Sequence, residues 1–125
     1  MTARDGIAPP TLGSHVLADL AGIDAALLRD AARLEAILTD AAQRAGARVI
    51  GAHFHHFGGE HGVTGVVLLA ESHITIHTWP EHRFAAVDAF MCGAARAAEA
   101  VDAIAAALGT HAQVRQQVAR GSALA

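Results

Sequence analysis

Residues 62–93 read Gly62-Val-Thr-Gly-Val-Val-Leu-Leu-Ala-Glu-Ser-His-Ile-Thr-Ile-His-Thr-Trp-Pro-Glu-His-Arg-Phe-Ala-Ala-Val-Asp-Ala-Phe-Met-Cys-Gly93. Three runs in this stretch have strand character. Thr64 to Ala70 is apolar, His73 to Thr78 alternates and is ended by Pro80, and Phe84 to Met91 follows, closed by Gly93. Successive strands joined by links this tight favour antiparallel pairing, since a parallel return needs a crossover of about a dozen residues or more.

On the N-terminal side, Arg48 to Phe57 reads as a further strand, separated from the first run by the loop Gly58-Gly-Glu-His-Gly62. Before it, Leu27, Leu28, Ala31, Leu34, Ile37, Leu38 and Ala41 recur at helical spacing. The expected helix runs from Ala25 to Ala45, with Asp24 as N-cap and Gly46 as stop. His15 to Leu20 is a candidate first strand. Beyond Gly93, a second helix is expected over Ala95 to Leu108, with Gly109 behind it, then a last short strand from Ala112 to Val118. The order β-α-β-β-β-β-α-β predicts an α+β fold. It is a two-layer α/β sandwich, a mostly antiparallel sheet covered on one face by two helices. The many alanines add little buried area each and suit helices lying close on a flat sheet.

The chain has 125 residues, which suits one domain over 13–125 after a loose lead-in at 1–12 that contains Gly6, Pro9 and Pro10. One cysteine, Cys92, excludes an internal disulfide and fits a reducing cytoplasm. The lead-in lacks the basic start and apolar core of a secretory signal, and no apolar run is long enough for a membrane span. The net charge of −3 is dispersed, with no basic stripe for nucleic acid. Most of the nine histidines fall between His53 and His82, so chemistry is expected there.

Glu71, Ser72, His73, His77, Glu81, Asp88 and Cys92 lie together in an otherwise apolar region. Each alone reads as a surface residue on a half-exposed strand. As a set they need another explanation, because burying unpaired charge is costly. The segments Ala70-Glu-Ser-His-Ile-Thr-Ile-His-Thr-Trp-Pro-Glu81, Ala85-Ala-Val-Asp88 and Phe90-Met-Cys-Gly93 resemble the bacterial S-adenosylmethionine decarboxylases. Gly62-Val-Thr-Gly65 and Gly13-Ser-His-Val-Leu-Ala-Asp19 also fit that pattern, and the likeness spans about residues 13–110.

The resemblance implies a chain that cuts itself between Glu71 and Ser72 into residues 1–71 and 72–125, leaving a pyruvoyl group at residue 72. That group is the cofactor and forms a Schiff base with the substrate's α-amine. It implies His77 as the proton acceptor in processing, Thr64 as its helper and Glu71 as the source of the attacked carbonyl. It implies Cys92 as proton donor in decarboxylation, a role a thiol's pKa suits. Phe57 would stack on adenine and Glu81 hold the ribose hydroxyls, with Trp79 lining the site or packing in the core. The product would be the aminopropyl donor for spermidine synthesis.

Spacing adds an expectation about assembly. On an unbroken strand, Ser72 and His77 lie about 16 Å apart at roughly 3.3 Å per residue, and on opposite faces. A homodimer with shared active sites would bring His77 of one chain to Ser72 of the other. The rival readings are a metal site at His53, His55 and His56, and a Ser-His or Cys-His hydrolase without a G-x-S-x-G elbow. The same pyruvoyl chemistry on ornithine or arginine is a third, and an unprocessed binding or regulatory paralogue a fourth.

Overall fold

The computed structural model describes residues 11–121. Its strands are β1 (Gly13–Ala21), β2 (Val49–His56), β3 (Val63–Leu69), β4 (Ser72–Trp79), β5 (Phe84–Cys92) and β6 (Ala112–Arg120). Its helices are α1 (Ala31–Arg44) and α2 (Ala97–Leu108). The strands form one sheet in the order β2-β3-β4-β5-β1-β6, every pair antiparallel. This is the α+β sandwich expected from the sequence. The lead-in falls outside the described residues up to position 10. Leu12 already joins the sheet, donating its N–H to the Arg120 carbonyl at 3.0 Å.

The first helix begins six residues later than its apolar periodicity suggests. Leu27–Arg29 is a short 3-10 turn, and α1 is capped by Asp30, whose carboxylate accepts from the Arg33 N–H at 3.0 Å. Asp24 is therefore not the N-cap. The break has a structural use. It frees the Leu28 carbonyl, which a continuous helix would consume, to accept from the Thr78 hydroxyl at 2.7 Å. That hydroxyl in turn accepts from the Val63 N–H at 2.8 Å. One buried threonine thus ties α1's entry to β3 and β4.

Helix α1 ends as expected. Gly46 takes φ +87°, and the Ala47 N–H reaches back to the Ala42 carbonyl. The second helix starts at Ala97 rather than Ala95, because Arg96 is extended and engaged elsewhere. Its N–H donates to Ala45 and its guanidinium to the Arg44 carbonyl, placing a cation at the C-terminus of α1.

Alternation sorts the sheet into two unlike faces. Val16, Leu20, Val67, Ile74, Ile76, Val87 and Ala89 point towards the helices and are buried against Leu34, Leu38, Val101 and Ile104. Buried alanines on both layers, such as Ala41, Ala85 and Ala100, let them approach closely. Among the described residues no element covers the other face. It carries Leu17, Val66, Leu68, Trp79, Val114 and Val118 as exposed apolar side chains, Leu68 at 54% and Val114 at 73% exposure. Among the described residues no helix is long and apolar enough to cross a membrane.

Candidate active site

At one end of the open face, β3 turns into β4. Leu69 pairs with Ser72, so Ala70 and Glu71 form a two-residue hairpin loop. Glu71 has φ +58°, and Ala70 is not among the residues of positive φ. Hairpin loops that match strand twist need positive φ at their first position, so this loop is of an unfavoured type. A side chain in the left-handed region adds a cost of roughly 1–2 kcal/mol. The strain therefore falls beside the Glu71–Ser72 peptide bond. Strand β5 ends opposite this turn. The Cys92 thiol donates to the Glu71 carbonyl at 3.1 Å, and the Cys92 N–H donates to the Ser72 hydroxyl oxygen at 3.2 Å. The arrangement joins a polarised carbonyl, an adjacent hydroxyl and a thiol.

At the other end, a cavity of about 320 Å³ is lined by Phe57, His61, Gly62, Val63, Thr64, His77, Thr78, Trp79 and Glu81. Thr64 lies opposite His77 in the β3–β4 ladder, and its hydroxyl sits 3.2 Å from His77 Nδ1. Phe57 closes the loop from β2 through its N–H to the Gly62 carbonyl. Phe57 is 58% exposed, and its ring meets His55 edge-on at 4.7 Å. Trp79 is 41% exposed and tilts against Phe84 at 5.5 Å, so it lines the cavity rather than the core. Glu81 stands exposed on the 3-10 turn Pro80–His82. Gly62 is required here: a Cβ would overlap the Thr78 carbonyl, closing the gap between the loop and β4.

The two groups do not meet within one chain. Strand β4 is unbroken from Ser72 to Trp79, with continuous ladders to β3 and β5. By alternation Ser72 belongs to the helix side with Ile74 and Ile76, whereas His77 belongs to the open side with Thr75 and Trp79. Glu71, Ser72 and Cys92 are gathered at one end, and Phe57, Thr64, His77, Trp79 and Glu81 at the other.

Between the two ends lies a cluster that no role inferred from the sequence includes. Asp88 Oδ2 accepts from His15 Nε2 at 2.6 Å and His73 Nε2 at 3.1 Å, and Oδ1 accepts from the Thr75 hydroxyl. The Phe90 ring packs against both imidazoles, at 5.7 Å and 6.0 Å. Burial pushes the Asp88 carboxyl up, but the hydrogen bonds from Thr75, His15 and His73, with the electrostatic attraction of His73, outweigh it and hold its pKa below the usual aspartate value. The usable signal was parity: His73 and Thr75 on one strand and Asp88 and Phe90 on another alternate onto the same face. The long-range pairing that adds His15 was not visible.

His15, His73 and Asp88 also bring donor atoms within 4.8 Å of one another, the kind of set that can hold a metal. Arg120 Nη1, 3.2 Å from His15 Nδ1, donates to that nitrogen and so leaves the His15 proton on Nε2, facing Asp88. The bonds are complete without an ion. In the run raised as a metal candidate, His53 and His55 share the open face, whereas His56 alternates away and contacts the His61 carbonyl at 3.0 Å.

The profile of the S-adenosylmethionine decarboxylase family matches residues 14–121. The chain is 50% identical over 82 residues to the S-adenosylmethionine decarboxylase proenzyme of Thermodesulfovibrio yellowstonii, an alignment covering 66% of this chain and 60% of that one. It is 51% identical over 83 residues to the proenzyme of the same name from Aquifex aeolicus, covering 66% and 61%. The chain thus spans about three fifths of the length of the curated relatives it matches. The crystal structure of an adenosylmethionine decarboxylase from Aquifex aeolicus superposes with a TM-score of 0.83 at 42% identity, over 90% of this chain and 93% of that one.

Proposed function

The chain belongs to the S-adenosylmethionine decarboxylase family, and from that premise we propose that it decarboxylates S-adenosylmethionine with a pyruvoyl group made from its own Ser72. The observation that carries this reading is the Glu71–Ser72 bond. It sits beside a residue at φ +58°, and a thiol donates to the carbonyl that must be attacked.

Processing follows from those atoms. The Ser72 hydroxyl adds to the Glu71 carbonyl carbon, and the Glu71–Ser72 amide becomes an ester to Oγ. The strain at Glu71 and the Cys92 hydrogen bond both favour this step over the planar amide. A base then removes the α-proton of residue 72. The Cβ–Oγ bond breaks, Oγ leaves within the new Glu71 carboxylate, and the dehydroalanine takes up water and releases ammonia. His77 is assigned the proton-acceptor role, with Thr64 fixing its ring through Nδ1.

A ketone at residue 72 supplies an electron sink for the pair freed as the substrate's carboxylate leaves. The chain's own residues bind and protonate. Phe57 and Trp79 offer aromatic faces to a purine and a sulfonium cation, and Glu81 offers a carboxylate to ribose hydroxyls. Cys92, already against residue 72, is the proton donor. These aromatic faces favour a nucleoside substrate over ornithine or arginine, which would leave them unused. The product is the aminopropyl donor for spermidine synthesis, made in the cytoplasm.

The working unit is a homodimer with its open faces together. A two-fold axis passing β4 near Thr75, midway between the ends, would set the Ser72–Cys92 end of one chain against the His77–Phe57 end of the other, with Cys92 on the facing side and Ser72, the first residue of β4, reached around the end of the sheet. The exposed Leu17, Val66 and Leu68 would be buried by the same contact. Intact mass spectrometry tests the reading: active protein should consist of residues 1–71 and 72–125, and Ser72→Ala should stay whole and inactive. Active protein that is a single chain with an ordinary serine overturns it. Carbon dioxide release from S-adenosylmethionine, ornithine and arginine then reads the substrate.

A further inference from the structure

We infer that Asp88 is a positioning residue, clamping the new start of β4 through His73 once the chain has been cut; this rests on the cleavage reading above. Before cutting, residue 72 is held in three ways. It is bonded to Glu71, its hydroxyl accepts from the Cys92 N–H, and its own nitrogen belongs to the β3–β4 ladder. The balance of the processing reaction removes all three. The peptide bond is lost, Oγ departs with Glu71, and the nitrogen departs as ammonia.

What remains is the ladder from His73 onward, and its first side-chain anchor is the His73 Nε2–Asp88 contact at 3.1 Å. The anchor is well made. Asp88 lies directly opposite Thr75 on β4 and Leu17 on β1, and its carboxylate reaches diagonally to His73 on one side and His15 on the other. It therefore stitches both neighbours of β5 at the level of the cut end. Phe90, opposite His73 and His15 in the two ladders, fills the space above Gly13, where a Cβ would strike its ring. A strand end that moves by an ångström carries the reactive carbon away from Cys92, and such a displacement costs about a hundredfold in rate.

The test compares wild type, Asp88→Asn, Ser72→Ala and the double variant Ser72→Ala/Asp88→Asn. Asparagine keeps the shape but cannot accept from Thr75, His15 and His73 at once. The expected result is that Asp88→Asn cleaves to completion, keeps KM within about threefold and loses kcat by about tenfold to a hundredfold. Amide hydrogen exchange in the segment beginning at residue 73 should rise about tenfold or more in cleaved Asp88→Asn only. In the uncleaved double variant the peptide bond still holds the end, and exchange should match Ser72→Ala. Faster exchange in both backgrounds, an unchanged kcat in cleaved Asp88→Asn, or failure of that variant to cleave each overturns the clamp. Should Asp88→Asn not fold, His73→Phe and His73→Gln replace it. Phenylalanine should show both losses, and glutamine, which restores a donor, should recover most of kcat; equal behaviour of the pair overturns the proposal. A wild type that is not cleaved would instead overturn the functional reading beneath it.

Discussion

The two ends of β4 are built by opposite means. The turn end concentrates reactive atoms on a strained backbone: Glu71 at φ +58°, the Ser72 hydroxyl and the Cys92 thiol are joined by two hydrogen bonds across a hairpin. The cavity end is unstrained ladder, in which Thr64 and His77 face each other in register and a loop closed at Phe57 and Gly62 shapes a pocket. In the proposed reaction the first would break and make bonds. The second would bind the substrate and exchange a proton, and it holds no electrophile. Ser72 and His77 lie on one unbroken strand, and the proposed second copy would complete each end.

The largest test of this contrast mixes two inactive chains. His77→Ala and Ser72→Ala should each stay uncleaved alone. Co-expressed in equal amounts, about half of the His77→Ala chains should cleave, because half of them find a partner with an intact histidine. Mass spectrometry distinguishes the fragments, and His77→Ala chains that remain whole would mean that the ends act within one chain. A charge on the open face should act next. Leu68→Arg is expected to weaken association by about tenfold or more while leaving the fold intact, as read by sedimentation and circular dichroism.

Relaxing the turn should have a smaller effect. Glu71→Gly relieves about 1 kcal/mol of strain and should slow cleavage about fivefold, followed by fragment appearance after synthesis. The smallest effect is on acid stability. A carboxyl held below its unfolded value stabilises the fold fully above that value and loses this contribution as pH falls through the folded one. The melting-temperature gap between wild type and Asp88→Asn should therefore shrink as the pH falls below the ordinary carboxylate range.

Most of the fold was legible because it rests on local pattern. Alternation in His73 to Thr78 and the helical spacing of Leu34, Leu38 and Ala41 express periods that burial of one face imposes. The first helix was misplaced for the same reason. Leu27 and Leu28 continue that spacing, and periodicity does not register that Thr78, 50 residues away, needs the Leu28 carbonyl. Asp30 and Asp24 are equivalent as caps by residue type, and only the tertiary contact selects between them. Apart from Phe57, the candidate site residues were legible as types within residues 62–93, and the odd spacing of Ser72 and His77 already separated them. Asp88 escaped assignment because its meaning lies in three donors from two other strands.

By itself the sequence determined the α+β class, the order of elements and the family, since these follow from short-range periodicity and from one motif-dense segment. The tertiary structure decided where the first helix begins, that the Cys92 thiol meets the Glu71 carbonyl, and that His15, His73 and Thr75 converge on Asp88. It also decided that, among the described residues, no element covers one sheet face, on which exposed apolar side chains surround the Asp88 cluster. Each of these depends on which strands lie side by side, and strand order is set by pairing between segments far apart in the chain, which local pattern does not encode.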